Sequence, residues 1–216
     1  DRVRAASETA ESFRARLARG TGSGGKSSKE LVARLALQLH LIGEGIKDVY
    51  EAAPIEAVLS VEPALEGGGD RHGDPEEWCE QLLAMYRAWA ASRNMQLSEV
   101  PPKAKEPPLL VIGGFGAYRT LSHEAGLHVL EMPGEEKSVD RVTARIRLAA
   151  APLGEIPPNR LPAALAIALS HSAPSNTLVR RYRNGASPLV RDMVAGWRTG
   201  RLDAVLQGDF DLIAAA

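Results

Sequence analysis

Between Arg141 and Leu148 apolar and polar residues alternate. Val142, Ala144, Ile146 and Leu148 fall on one side, while Arg141, Thr143, Arg145 and Arg147 fall on the other. That period of two predicts a strand packed on one face and carrying arginines on the other. A shorter alternation sets Ile55, Ala57, Leu59 and Val61 against Glu56, Val58, Ser60 and Glu62, a half-buried strand. The apolar run Leu109–Ile112 leads into Gly113, Gly114 and Gly116 and reads as a buried strand.

Helical spacing dominates elsewhere. Val3, Ala6, Ala10, Phe13 and Leu17 recur every three or four residues. After the glycine-rich break Gly20–Gly25, a capping box at Ser27 and Glu30 opens a second helix, with Leu31, Leu35, Leu39 and Ile42 as its expected buried stripe. The best-marked helix has Asp74 as N-cap, Pro75 at its first position and acids at Glu76 and Glu77. Trp78, Leu82, Met85, Tyr86 and Trp89 share one face, and Asn94 ends the helix before a strand starts at Met95–Leu97. The apolar run Leu161–Leu169 fits helix or strand equally, and Gly208 stands where a helix C-cap is wanted. These elements predict an α+β protein: a helical hairpin over 1–52 followed by a mixed sheet-and-helix domain.

Composition narrows the function classes. With 44% hydrophobic and 25% charged residues the 216-residue chain can bury one sizeable core. Net charge is −1, but residues 137–216 hold 11 Lys/Arg against 6 Asp/Glu, so positive potential gathers in the C-terminal part, a pattern that suits contact with RNA on one side. The single cysteine, Cys79, excludes an internal disulfide and suits a reducing, cytoplasmic setting. No apolar run is long enough to span a bilayer, so no membrane partner is expected.

Three chemical motifs compete for attention. Gly20–Ser27 matches the phosphate-loop pattern G-x-x-x-x-G-K-S, which would make the chain a nucleotide hydrolase, but it follows a charged helical turn instead of a buried strand. His40, His72, His123 and His171 show no metal-ligand spacing, and Ser170-His171-Ser172 lacks a nucleophile elbow. The expectation is no enzyme activity, no metal and no cofactor.

The order of several short motifs resembles the decoding domain of bacterial class 1 peptide chain release factors. Gly68-Gly69-Asp70, Met85-Tyr86-Arg87-Ala88-Trp89-Ala90-Ala91-Ser92-Arg93, Gly116-Ala117-Tyr118 and Glu124-Ala125-Gly126-Leu127-His128 stand in family order. Leu178–Tyr182 looks like a strand of the family's final segment, with Ser187 and Pro188 expected to cap a short helix before Val190-Arg191-Asp192. Ala204–Asp211 is similar to the family's closing motif, and Trp89 looks closest to the UGA-reading type. Departures are Val129 where arginine is expected, Glu135 where the codon-reading threonine stands, and prolines between Val100 and Pro108.

The resemblance implies a decoding-like domain over 53–150, a short linker over 151–177 and a C-terminal segment over 178–216 packing back on it. In the family a catalytic domain with a Gly-Gly-Gln loop separates the two matched segments; these 216 residues contain no Gly-Gly-Gln. It also implies an RNA-facing site at His128, Pro133, Glu135, Arg141, Arg145 and Arg147, with the ribosome or another RNA as partner. The alternative is a scaffold repurposed for a protein partner off the ribosome, favoured by the acidic Glu135 and Glu136.

Overall fold

A computed structural model describes residues 2–18, 25–64, 73–102, 106–134 and 138–211. The chain divides into two compact units, Asp1–Ala53 and Pro54–Ala216.

The first unit is a pair of helices, α1 (Arg2–Ala18) and α2 (Gly25–Glu51). Most of the glycine-rich break, residues 20–24, lies outside the described residues, and so do the side chains of Ser27 and Glu30. The segment before it is helix, not strand. The expected stripe on α2 is only partly buried: Leu35 and Ile42 are half-buried and Leu39 is 57% exposed, while the buried positions among the described residues of the helix are Leu41, Glu44, Gly45 and Asp48. Periodicity identified the helix, but the face that it buries is more polar than the aliphatic stripe.

The second unit is an eight-stranded sheet in the order β2-β3-β1-β5-β4-β6-β7-β8. Its strands are β1 (Glu56–Pro63), β2 (Gln96–Val100), β3 (Leu109–Gly113), β4 (Gly126–Pro133), β5 (Val139–Ala150), β6 (Leu178–Arg183), β7 (Leu189–Asp192) and β8 (Arg198–Thr199). Every pairing is antiparallel except β4 with β6, where the chain re-enters the sheet after α5 (Leu161–His171). The mixed α+β class is therefore as the pattern predicts.

Helix α3 (Pro75–Ser92) supplies the main core. Asp74 accepts from the N–H groups of Glu76 and Glu77, and Trp78, Leu82, Met85, Tyr86 and Trp89 are all buried. They pack on Ala57, Leu59, Val61, Val142, Ala144 and Ile146, the inward faces of β1 and β5. Helices α4 (Ala117–Ser122) and α6 (Leu202–Leu206) complete that layer.

Two expectations change. Val58 and Ser60 are buried although they sit on the polar side of the β1 alternation, because α5 covers that face through Leu165 and Leu169. The run Leu161–Leu169, which fits helix or strand by its pattern, is thus a packed helix within residues 151–177. Leu189–Asp192 is a strand and not a capped helix: Val190 and Asp192 point inward while Arg191 points out, and Arg180 lies opposite Asp192. The Gly68-Gly69-Asp70 loop lies outside the described residues.

Candidate functional site

The motif Glu124–His128 bridges α4 and β4, and its backbone requires glycine at one point. Gly126 has φ +146°, and a Cβ there would stand 2.4 Å from the Thr177 carbonyl oxygen. That carbonyl accepts from the Leu127 N–H at 2.8 Å, so the close approach is what starts the β4–β6 pairing.

Glu124 faces inward beneath this turn. Arg180 on β6 donates from Nη2 to Glu124 Oε1 at 2.6 Å and from Nη1 to Oε2 at 3.0 Å. The same guanidinium reaches Asp192 on β7, Nε at 3.1 Å and Nη2 at 2.9 Å. Tyr86 Oη donates to Glu124 Oε2 at 3.0 Å, and Asp192 Oδ1 accepts from the N–H groups of Val194 and Ala195. The guanidinium carbon sits 5.0 Å from the Trp197 ring centre and 5.2 Å from that of Phe210. Burial pushes the Glu124 carboxyl upward, and Arg180 pulls it back. Burial also opposes the charge on Arg180, but Glu124 holds that group charged. Closed to solvent, this cluster joins α3, the α4–β4 turn, β6 and β7; it is a structural junction with no room for a substrate.

His128 belongs to the same junction. Its ring is 0% exposed, with Nε2 3.0 Å from the Glu124 carbonyl and Nδ1 3.1 Å from Tyr182 Oη. A carbonyl only accepts, so Nε2 carries the proton and Tyr182 donates to Nδ1. Burial, helped by Arg180, lowers the pKa of the ring to about 3. His128, expected to face RNA, is in this structure a neutral core residue with neither ring face open.

The remaining expected contacts separate into two places. Pro133 is exposed at the end of β4, opposite Val139, and Glu135 lies outside the described residues. Arg141, also exposed, donates from Nε to Glu131 at 3.2 Å. Arg145 donates to Asn176 Oδ1 at 3.0 Å and stands 3.8 Å from Glu62. Arg147 donates to the Leu169 carbonyl at 2.7 Å, at the C-terminus of α5, where a cation is favoured. Arg147 therefore fastens the end of the helix that covers this face, and Arg145 holds the segment just beyond it.

The residues missed were Glu124, Arg180 and Asp192. A signal was present: Asp192 shares its side of β7 with Val190, and Arg180 its side of β6 with Tyr182, so charges stood at inward positions. Such placement calls for a buried partner.

The matching region decides the relationship. The chain is similar to bacterial peptide chain release factor 2. The proteins of that name from Thermotoga petrophila and Thermotoga maritima are 32% identical over 100 residues, 44% of this chain and 24% of theirs. That from Lactiplantibacillus plantarum is 33% identical over 79 residues, 34% of this chain and 20% of its own. The matched stretch thus spans about a quarter or less of these relatives. No known family profile matches the chain. The solved structure of release factor 2 from Thermus thermophilus superposes with a TM-score of 0.54 at 18% identity, covering 99% of this chain and 84% of that one, a likeness of fold. Among the described residues no helix is long and apolar enough to cross a membrane.

Proposed function

We propose that this chain is a release-factor-like translation factor that associates with the ribosome or RNA and does not hydrolyse peptidyl-tRNA. The observation that carries the reading is the 100-residue similarity to release factor 2. Its support in the fold is the junction of Tyr86, Glu124, His128 and Tyr182, residues that stand within the resembling motifs and meet in one buried cluster.

Absence of hydrolysis is supported by the middle of the chain. No Gly-Gly-Gln occurs in it, and residues 151–177 include the packed helix α5, whose Leu169 carbonyl binds Arg147, while Arg145 binds Asn176 just beyond the helix. A domain of roughly a hundred residues does not fit in such a span. The chain is tested by cosedimentation with ribosomes across a salt series, together with release of formyl-methionine from a stop-codon complex. Pelleting that weakens steeply with salt and no release above background are expected. No pelleting at low salt, or release at a rate above background, defeats the reading.

The second reading, a scaffold repurposed for a protein partner, is favoured by the burial of His128 and by the carboxylate at Glu135. Capture of a protein partner free of ribosomal RNA, with no ribosome pelleting, would establish it instead.

A further inference from the structure

Strands β6, β7 and β8 end the sheet with two successive like-charge pairs: Arg181 lies opposite Arg191, and Arg191 lies opposite Arg198. All three arginines are exposed, while Arg180, Tyr182, Val190 and Asp192 between them are buried. The pleat therefore sends the three guanidinium groups to one outward face. Arg183, two residues beyond Arg181 and also exposed, joins them.

Like charges directly opposite on one sheet face destabilise the pairing. Elsewhere in this sheet outward arginines are neutralised or used: Arg141 meets Glu131, Arg145 meets Glu62 and Asn176, and Arg147 caps α5. The terminal row has almost no such compensation. Arg181 shares the already engaged Glu131 at 3.7 Å, and among the described residues Arg183 donates only to the Ser187 carbonyl at 3.1 Å. Among the described residues the side chains of Arg191 and Arg198 make no hydrogen bond and no ion pair.

We propose that the row Arg181, Arg191 and Arg198, flanked by Arg183, is a docking surface for the phosphate backbone of RNA. Adjacent strands are about 4.8 Å apart, so the three stems span roughly 10 Å and can engage successive phosphates. Guanidinium groups pair with phosphate through two parallel donors, and unengaged ones pay no cost for leaving a protein partner. The row contains no exposed aromatic anchor of the kind that centres a protein interface. This surface deepens the ribosome-or-RNA reading by naming the face that makes the contact. It is distinct from the β4–β5 loop and from Arg145 and Arg147.

The test uses the full chain and two fluorescein-labelled probes, a short RNA duplex and a single strand, titrated by anisotropy across a salt series. In Arg181→Gln/Arg191→Gln/Arg198→Gln, affinity at low salt should fall at least about tenfold, and the slope of log affinity against log salt should flatten by about 2 to 3. Arg87→Gln, which removes an arginine paired with Glu80 and Glu99 on α3 and β2, should leave the slope unchanged. The triple variant should melt at or above the wild-type temperature, since it loses two like-charge contacts. Wild-type binding whose slope survives the triple substitution overturns this surface and leaves the ribosome reading standing. Absence of wild-type binding to either RNA and to ribosomes at low salt overturns both. Binding of polyglutamate in place of RNA, lost in the triple variant, overturns the RNA assignment.

Discussion

The guanidinium of Arg180 grips the carboxylate of Glu124 with two parallel hydrogen bonds, and both groups are closed to solvent. Breaking a buried pair leaves an uncompensated charge, which costs more than the pair contributes. Arg180→Met, which strands Glu124 and Asp192, should therefore destabilise the protein by about 3–5 kcal/mol in urea unfolding. A loss below about 1 kcal/mol would show that water reaches the cluster.

His128 makes stability depend on pH. Its folded pKa of about 3 lies below the usual 6.5, so between those values the unfolded chain binds the extra proton and acid favours unfolding. Stability contributed by the neutral ring is full above pH 6.5 and falls as pH drops toward 3. Glu124, whose carboxyl is pushed upward by burial, acts in the opposite sense, gaining the proton more readily when folded. The histidine effect is isolated by comparing wild type with His128→Gln. From pH 6.5 to 4.5 the wild type should lose on the order of 3 kcal/mol more than the variant. Parallel curves for the two proteins would place the ring in water.

Gly126→Ala tests the turn that starts the parallel pairing. The added methyl meets the Thr177 carbonyl, which is backbone and cannot swing aside, at a φ of +146° that side chains rarely adopt. A loss of about 2 kcal/mol or more is expected in thermal unfolding, with faster hydrogen exchange at the Leu127 amide. Wild-type stability would mean that β6 does not enter the sheet here.

The last described residue, Asp211, clasps α3. It accepts from Trp89 Nε1 at 2.9 Å and Arg93 Nε at 2.8 Å, with a further contact to Arg93 Nη2. Gly208 permits this approach: its φ is +97°, and a Cβ would stand 2.5 Å from the Trp89 backbone nitrogen. Asp211→Ala leaves the fully buried Arg93 without its carboxylate and should cost about 3 kcal/mol. A change within about 0.5 kcal/mol in urea unfolding would show that the C-terminal turn is detached.

Helix α3 and strand β5 were legible because their signals are local. Asp74 caps with its own side chain, Pro75 has no amide to satisfy, and alternation in β5 reflects one buried face. The helix at Leu161–His171 was not legible: its apolar residues lie nearly all round, and only packing against Val58 reveals which face is inward. The site divided the same way. Arg145 and Arg147 stand on the strand face opposite the main core, as the alternation implies, but that face is covered and their partners come from Asn176 and the end of α5, more than twenty residues away.

By itself, then, the sequence determined the element types outside Leu161–His171 and Leu189–Asp192, the α+β class and the similarity to release factors, since each rests on spacing, caps and motif order along the chain. Tertiary structure alone decided which charges are buried and which are free. His128 and Arg180 are enclosed, and Arg191 and Arg198 are left facing one another, because β6 returns parallel to β4 and carries β7 and β8 with it. Burial and cross-strand neighbours are set by that non-local pairing, and no local pattern encodes it.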